Sequence, residues 1–495
     1  MNKEGGKDAT ELNVYSYHTF LFPFRWETNP SKNMDVFVQN LDLSEEAWSE
    51  LLWENEVFDA HRDRRIEYNE HEYFHENVRN AIYGTENHDV VRNFTFRKDR
   101  LKEKATDPDS SVLMTITKSE TTWELTVNAI RLKIFNTGIG ILTYELENRK
   151  HRSMDDVLRI NEYGRRIDIP YVSVRDNSCS HVADRVEISD VTICDFAKAI
   201  SEFSSLTANY KFISPIITDV LGHGFSFSKE AGKIPCHVIG DDRMFVCCLV
   251  DDDSLIRETA VWDNDKHMYA WERDCIDKPH WEQSKLYDFI FIDGTGLSCI
   301  DRNKRLELLK KHLYTRFMEY NPELKGDEER TNYGTFAAVT PHSMVCVTNY
   351  IGEIVPFLTM RIQMATLVLA QRAAIISLCH EAAALATGFD SDGHVSRRQV
   401  KKISKLQENY VAFQNQMLFF EMTAQEQGVD MYKKLQESLY IQDQKDQLEV
   451  QLQNLHDIAS LIATGKTERI LALIAVVGGL IALTSMICDL SSCIS

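Results

Sequence analysis

The residues with the most recognisable chemical potential form the pentapeptide His71-Glu72-Tyr73-Phe74-His75. On an α-helix this HExxH spacing places both histidines on one face, where they can bind Zn²⁺ while the glutamate activates water. The preceding sequence HRDRRIEYNE is highly polar, whereas the buried helix of a metalloprotease carries apolar residues, and no HxxGxxH extension follows. We therefore interpret the segment as a solvated helix face and keep a zinc hydrolase as an alternative.

A second chemical feature is a basic cluster within 18 positions of an acidic chain: Arg149, Lys150, Arg152, Arg159, Arg165 and Arg166. The cluster follows an expected strand and flanks a short expected helix, with Asn161 and Gly164 near a turn. Guanidinium groups bind phosphate and carboxylate in a bidentate manner, so the cluster suits an anionic ligand. The alternative is a set of surface arginines paired with neighbouring acids: Asp155, Asp156, Glu162 and Asp168.

Acidic residues flank the apolar run Met244–Val250, with Asp241 and Asp242 before it and Asp251-Asp252-Asp253 after it. Convergent carboxylates are the ligands that hard divalent cations prefer. Solvated loops at the two ends of a strand explain the same pattern, and we predict no metal site here.

Composition limits the function classes. The formal net charge is −20, which argues against nonspecific binding of nucleic acid, because that binding needs an excess of Lys and Arg. Eleven cysteines without a CxxC pair fit a reducing cytosol. The N-terminal MNKEGGKDATELN has no apolar core, so we expect no signal peptide.

Near its C-terminus the sequence contains a stretch of bilayer length, Ile470–Cys488, whose 19 residues carry no charge. At the helical rise it extends about 28 Å, close to the roughly 30 Å hydrocarbon core of a membrane. We predict a single C-terminal transmembrane helix. Lys466 and Arg469 precede it and Asp489 follows it, so the positive-inside rule predicts an inner-membrane protein with a cytosolic N-terminal body.

Small residues recur along one stripe of this predicted span, which lets helices approach one another closely. A ring of such helices would expose hydroxyls to a pore and place a carboxylate ring at its outer mouth, favouring cations. The alternative is a plain membrane anchor. The candidate pore or helix-packing residues are Ala475, Gly479, Ala482, Ser485 and Asp489.

The fold class expected for the chain is α+β. Residues 1–350 are predicted to form a cytosolic mixed α/β sensor domain. It opens with a strand in 12–26, in which Pro23 suggests an edge or a bulge. Strands are also predicted at 111–117, 123–127, 130–135, 141–146, 236–239 and 244–250, and helices at 154–160, 193–203 and 302–318.

A helical stalk is predicted for residues 351–465, followed by the membrane helix and a short tail at 466–495. Residues 353–386 form an apolar helix that we expect to be buried in a bundle, because Arg361 and Arg372 argue against a membrane span. Val395–Thr464 is predicted as a coiled-coil-like helix whose apolar stripe is interrupted near Gln425–Gly428 and then resumes. If continuous to Cys488, it extends about 140 Å. Its apolar stripe comprises Leu406, Tyr410, Phe413, Met417, Phe420, Leu448, Leu452, Leu455 and Ile462.

This layout of α/β body, helical pair and long helix entering the membrane resembles the CorA family of divalent-cation channels. The resemblance covers roughly residues 350–488 and, loosely, the body. It implies a funnel-shaped homo-oligomer, pentameric by analogy, with Mg²⁺ as the candidate cation; no cofactor motif stands out in the sequence. Two features depart from the family. Ser485-Met486-Ile487-Cys488-Asp489 replaces the Gly-Met-Asn filter, and the chain ends at Ser495 where the family has a second membrane helix.

Two further segments, HTFLFPFRW at 18–26 and NRKHRSMDDVLRINEYGRRIDIP at 148–170, resemble a divergent CorA-like branch found beside type III CRISPR systems. That resemblance implies a non-enzymatic membrane effector in antiviral defence, which responds to a nucleotide-type second messenger. The expected ligand-binding residues are then Arg149, Arg152, Asn161, Arg165, Arg166 and Asp219. The alternatives are a divalent-cation transporter with an atypical filter and a membrane-anchored zinc hydrolase.

Overall fold

The computed structural model describes most of the chain. The described residues are 14–28, 33–42, 47–51, 65–84, 90–97, 111–173, 175–176, 178–189, 192–202, 212–228, 230–259, 261–263, 268–270, 283–294, 301–317, 334–387 and 397–463. The predicted membrane span and its candidate pore residues Ala475, Gly479, Ala482, Ser485 and Asp489 lie outside the described residues.

The strands of the described segments are numbered in chain order. They are β1 Ser16–Trp26, β2 Trp48–Glu50, β3 Val91–Phe96, β4 Leu113–Lys118, β5 Thr121–Phe135, β6 Ile139–Asn148, β7 Arg185–Ile188, β8 Thr192–Asp195, β9 Phe225–Ser226, β10 Ile234–Val238, β11 Phe245–Asp251, β12 Val261–Asp263, β13 Met268–Ala270, β14 Leu313–Phe317, β15 Gly334–Val339 and β16 Ser343–Thr348.

The helices are numbered in the same way, and a π-helical turn, Phe357–Arg361, separates α10 from α11. They are α1 Met34–Asp42, α2 Arg65–Tyr73, α3 Glu76–Ile82, α4 Met154–Gly164, α5 Phe196–Glu202, α6 Pro215–Leu221, α7 Asp253–Thr259, α8 Gln283–Phe291, α9 Arg302–His312, α10 Ile351–Pro356, α11 Ile362–Ala386, α12 Arg397–Met417, α13 Glu426–Ser438 and α14 Ile441–Ala463.

Most strands join one sheet, which has fourteen strands within the described part of the chain. Its main path runs β14-β15-β16-β11-β1-β6-β5-β4-β7-β8, and β2, β3, β9 and β10 attach beside it. The pairs are antiparallel except for β11–β16 and β9–β10. A largely antiparallel sheet with helices on its faces gives a mixed α/β architecture, which confirms the coarse fold class predicted for the body.

The opening strand β1 is a central strand, not an edge. It pairs along its length with β6, and on its other side with β11 and then β10. Pro23 lies opposite Ile141, at the point where the second neighbour changes from β11 to β10. A proline is tolerated there because a missing N–H at a junction between two strands does not interrupt a hydrogen-bond ladder.

The predicted strands 123–127 and 130–135 form one continuous strand, β5. A β-bulge between Val127 and Ala129 shifts its register against β6. The first half of β5 pairs with β4 and the second half with β3. One long bulged strand therefore connects two parts of the sheet, as bulges commonly allow.

Helix α4 packs on β1 and β4 and shows why the chain turns where it does. Ser153 caps its N-terminus by accepting a hydrogen bond from the Asp156 N–H at 3.1 Å. At its other end, a Cβ at Gly164 would lie 2.8 Å from the ring of Phe20. Glycine is therefore needed for the close approach of the helix end to β1, and this approach places Arg165 in the protein interior.

Two predicted helices are partly wrong. The segment 193–203 divides into strand β8, which pairs with β7, and the short helix α5. The segment 302–318 is helical only to His312, after which β14 pairs with β15. Both misassigned stretches are short, and their conformation is decided by pairing with a distant strand rather than by local periodicity.

The chain divides into two compact units. The first comprises Met1–Ala370 and Glu421–Leu439, and the second Gln371–Phe420 and Tyr440–Ser495. The first unit contains the sheet, α1 to α10 and α13. The second contains α12, α14 and the later part of α11.

The helical stretch Ile351–Ala386 is the one stretch among the described residues that is long and apolar enough to cross a membrane. Most of its apolar window, 78%, is buried within the protein, as in a core helix. This burial agrees with the predicted buried helix, and membrane localisation stays a prediction.

Within the second unit, α12 and α14 run antiparallel. Gln414 donates to the Glu449 carboxylate at 3.0 Å, the Tyr410 hydroxyl donates to the same oxygen at 2.6 Å, and His456 lies 3.3 Å from Gln407. The buried stripe is confirmed at Leu406, Tyr410, Phe413, Met417, Leu448, Leu452 and Leu455.

The predicted single helix Val395–Thr464 is wrong over its described part, where three helices replace it. Helix α12 ends at Met417, so Phe420 leaves the stripe and is 87% exposed. The intervening α13 belongs to the first unit. Tyr440 then adopts a left-handed conformation, with φ of 57°, which separates α13 from α14.

Candidate functional site

The arginines at the end of α4 form a buried ion-pair network. Arg165, Glu162 and Arg166 are only 1%, 2% and 5% exposed. The Arg165 Nη2 donates to Glu162 Oε2 at 2.6 Å and to the Ile292 carbonyl at 2.6 Å. Arg166 donates to the other oxygen of Glu162 and to Asp242. One carboxylate therefore holds two adjacent guanidiniums.

Burial and charge oppose each other in this network. Burial disfavours the ionised Glu162, but Arg165 and Arg166 outweigh that effect and lower its pKa. Burial likewise lowers the pKa of Arg165 to about 10, against the favourable charge of Glu162. The arginine therefore stays charged at neutral pH, and the pair is an ionised one.

Part of the donor capacity of the two arginines is unused. Among the described residues, Arg165 Nε, Arg165 Nη1 and Arg166 Nε find no hydrogen-bond partner. The ligand-binding role of Arg165 and Arg166 stays a prediction. What the structure shows is their pairing with Glu162 and, for Arg166, with Asp242.

The other predicted ligand residues lie in different surroundings. Asn161 is fully buried, and its amide oxygen lies 2.7 Å from His18 Nδ1. Arg149 is half-buried and pairs with Glu147 at 2.7 Å. The structure therefore brings Asn161, Arg165 and Arg166 onto one helix end but does not bring all six residues into one site.

Two members of the predicted set face the exterior. Arg152 is exposed, with its guanidinium 5.1 Å from the ring centre of Tyr15. Asp219 is exposed on α6 and accepts a hydrogen bond from Thr218 at 3.2 Å. Neither contact points to a shared ligand.

A buried polar chain next to Asn161 has the residue types of a cysteine protease. His18 Nδ1 lies 3.7 Å from Cys248 Sγ, and its Nε2 lies 2.9 Å from Ser16. Burial lowers the pKa of His18 to about 4 and raises that of Cys248 to about 12. Both groups are therefore neutral near pH 7 and both are buried, whereas a reactive cysteine is a partly exposed thiolate.

The HExxH segment does not lie on one helix. His71 belongs to α2, which ends at Tyr73, and His75 caps α3 in an extended conformation. His75 Nε2 lies 3.5 Å from Glu421. A zinc site of this type needs both histidines on one helical face, which this backbone does not provide.

The acidic flanks of β11 act as caps and turn residues. Asp252 accepts hydrogen bonds from Tyr15 and Ser254, and Asn349 donates to Asp253. No group of three or more metal-ligating side chains suited to a metal ion occurs in the segments that the structure describes.

A cavity of about 380 Å³ lies in the first unit, lined by both polar and apolar side chains. Pockets of this size accept small organic molecules. The lining residues come from α2, β15, the α10–α11 region and the start of α13: Tyr73, Thr335, Tyr350, Gly352, Glu353, Pro356, Met360, Arg361, Met364, Gln425, Gln427, Gly428 and Met431.

The π-helical turn positions the charged pair of this cavity. The Ile362 N–H donates to the Phe357 carbonyl, five residues back, which is the π pattern. Such a turn contains one residue more than a regular α-helical turn. Glu353 and Arg361 are eight positions apart in the sequence, but the extra residue gives them the angular separation of residues seven apart in a regular helix. Residues seven apart share a face, and the two side chains form an ion pair.

Close packing shapes the opposite wall. A Cβ at Gly428 would lie 2.2 Å from the Tyr73 hydroxyl oxygen, so only glycine leaves room for that side chain. Burial raises the pKa of Tyr73, Arg361 lowers it and Glu353 raises it. The phenol therefore lies in the field of both members of the ion pair.

Sequence reasoning missed this cavity. Its walls come from positions as distant as Tyr73, Thr335 and Gln427, and Arg361 served there only as an argument against a membrane span. The sequence did contain one signal: Pro356 lies inside an apolar helix, with Glu353 before it and Arg361 after it.

No family model, no curated protein and no solved structure matches this chain.

Proposed function

We propose that this chain is a ligand-gated membrane effector of the CorA-like kind. It forms a homo-oligomer, pentameric by analogy, anchored in the inner membrane by Ile470–Cys488. Its cytosolic body binds a small anionic nucleotide, and the membrane segments then leak ions or disturb the bilayer. In the cell this activity serves antiviral defence beside a type III CRISPR system.

The observation that carries the proposal is the path of the chain. The α10–α11 region lines the cavity of the first unit, and α11 continues into the second unit at Gln371. The second unit also contains α14, which ends at Ala463 shortly before the apolar stretch begins. A conformational change at the cavity therefore has a direct covalent route toward the membrane segment.

One feature supports a small anionic ligand. Cationic donors lie inside the body, at Arg165, Arg166 and Arg361, and each has at least one N–H without a partner among the described residues. A ligand gates such a protein only if it binds one conformation more tightly than the other. An anion that accepts from these donors more strongly in one conformation than in the other would meet that condition.

The experiment is flux from liposomes that contain the full-length protein. Vesicles loaded with a fluorescent dye receive a panel of adenine nucleotides, linear and cyclic, and parallel vesicles report Mg²⁺ entry. We expect dye release that depends on a nucleotide. Mg²⁺ flux that persists without any nucleotide would instead identify a divalent-cation transporter, and the proposal would fail.

A further inference from the structure

The cavity in the first unit, here called the Tyr73 cavity, combines a largely buried cation with both polar and apolar lining residues. Its polar groups come from seven residues: Tyr73, Thr335, Tyr350, Glu353, Arg361, Gln425 and Gln427. Three methionines and a proline supply the apolar part: Met360, Met364, Met431 and Pro356. Sites for small organic ligands combine polar groups, which orient the ligand, with an apolar part that packs against it.

Arg361 is the charged lining residue with an unsatisfied hydrogen-bond donor in the part of the chain that the structure describes. Its side chain is 12% exposed, and its Nη2 pairs with Glu353. Its Nη1 has no hydrogen-bond partner among the described residues. A buried cationic donor without an acceptor is costly, and an anionic oxygen is the acceptor that a guanidinium binds best.

The wall around this donor favours an aromatic ring. Methionine thioethers make favourable contacts with aromatic rings and adapt to irregular shapes, since their side chains are unbranched. Tyr73 and Tyr350 add ring faces and edges, which pair with a second ring in offset or edge-on arrangements.

We infer that the Tyr73 cavity binds a small aromatic molecule that carries one anionic oxygen group, either a phosphate or a carboxylate. The anionic oxygens accept from Arg361 Nη1, and the ring packs among Met360, Met364 and Met431. The claim that this molecule is the gating ligand rests on the proposed function. The claim that the cavity binds it rests on the cavity residues alone.

The test uses full-length protein in detergent micelles with methyl-labelled methionine, observed by NMR. The probes are phenyl phosphate, benzoate and the neutral control benzyl alcohol. We expect the signals of the three cavity methionines, assigned by substitution, to shift with one or both anions, with a Kd on the order of 1 mM for ligands this small. Whichever of phenyl phosphate and benzoate binds more tightly shows whether the site prefers a phosphate or a carboxylate. Benzyl alcohol should bind at least tenfold more weakly.

Two variants and a control make the test specific. The double variant Glu353→Gln with Arg361→Met removes both charges together, which avoids leaving one of them buried alone, and should weaken anion binding at least tenfold. Met360→Trp fills the cavity and keeps the ion pair, and should also abolish binding. Arg185→Met removes an exposed arginine outside the cavity, paired with Glu187 on β7, and should bind like the wild type.

The inference is overturned if no anion shifts the cavity methionines, if benzyl alcohol binds as well as the anions, or if the double variant binds like the wild type. Its failure is distinguishable from that of the proposed function. If anions bind in the cavity but no nucleotide triggers flux, the proposed function is wrong and the binding site is still supported. If nucleotides trigger flux and Met360→Trp does not alter it, the gating ligand does not bind in this cavity.

Discussion

Glu162, Arg165 and Arg166 hold three charges in a part of the molecule that is nearly inaccessible to water. Removing one partner of such a network leaves a buried charge incompletely compensated, which is far more destabilising than losing an exposed pair. The same arginines were predicted from sequence as ligand contacts. Separating the two roles requires variants whose stability and ligand response are measured together.

We predict that Arg165→Met lowers the free energy of unfolding by about 3 kcal/mol, because it removes one of the two cations that hold Glu162 ionised. The matched control is Arg149→Met, which breaks the half-exposed pair with Glu147 and should cost less than about 1 kcal/mol. Thermal melting of the detergent-solubilised chain compares the two. An Arg165→Met protein that melts like the wild type but no longer responds to nucleotide would identify Arg165 as a ligand contact instead.

His18 predicts a dependence of stability on pH. Its pKa is about 4 in the folded chain, below the ordinary 6.5, because burial disfavours the cation. Between these values the unfolded chain binds more protons than the folded one, so stability is lost as pH falls from 6.5 toward 4, by about 3 kcal/mol in all.

The check is a melting series of the wild type and His18→Gln between pH 7.5 and pH 4.5. The wild type should lose more stability over this range than the variant, because glutamine does not titrate. Parallel pH profiles for the two proteins would show that His18 does not cause the acid sensitivity.

At the level of elements, the π-helical turn Phe357–Arg361 decides which residues face the cavity. Its extra residue brings Glu353 and Arg361 onto one face. A deletion of one residue within the turn should convert it to regular helix and preserve that pairing, since the two residues would then be seven apart.

We predict that deletion of Thr359 leaves the protein folded and its melting temperature little changed. Deletion of Thr366 is the matched control. Both threonines donate a hydroxyl hydrogen bond to the carbonyl four residues earlier at 2.7 Å, but Thr366 lies in regular α-helix, where a deletion rotates the flanking helix by about 100°. Circular dichroism and melting should show a folded first variant and a strongly destabilised second. Equal destabilisation would contradict the assigned role of the turn.

The elements differ in how far the sequence predicted them. Alternating and aromatic patterns located β1, β4 and β11, and the helical pattern at 154–160 located most of α4. Short strands such as Leu313–Phe317 were missed because their conformation depends on a distant partner strand. The breaks around α13 were underestimated, since the apolar stripe resumes after them with the same period. The Tyr73 cavity was not predictable from local pattern, because its walls meet only through the tertiary fold.

At the level of the whole molecule, the chain leaves the first unit at Gln371, returns to it for residues 421–439, and leaves it again at Tyr440. The wall of the Tyr73 cavity uses both the outgoing and the returning segment. Under the proposed function, a ligand bound there would contact two of the segments that lead into the second unit. This arrangement is the physical basis for assigning a sensor role to the first unit.

The most direct measurement of that account is ligand-triggered dye release from vesicles containing either the wild-type chain or Gly479→Leu. The leucine interrupts the small-residue stripe of the predicted span without adding charge. We predict nucleotide-dependent release by the wild type and at least tenfold slower release by Gly479→Leu at equal protein content. Release that needs no ligand, or that is the same for both proteins, would contradict the account.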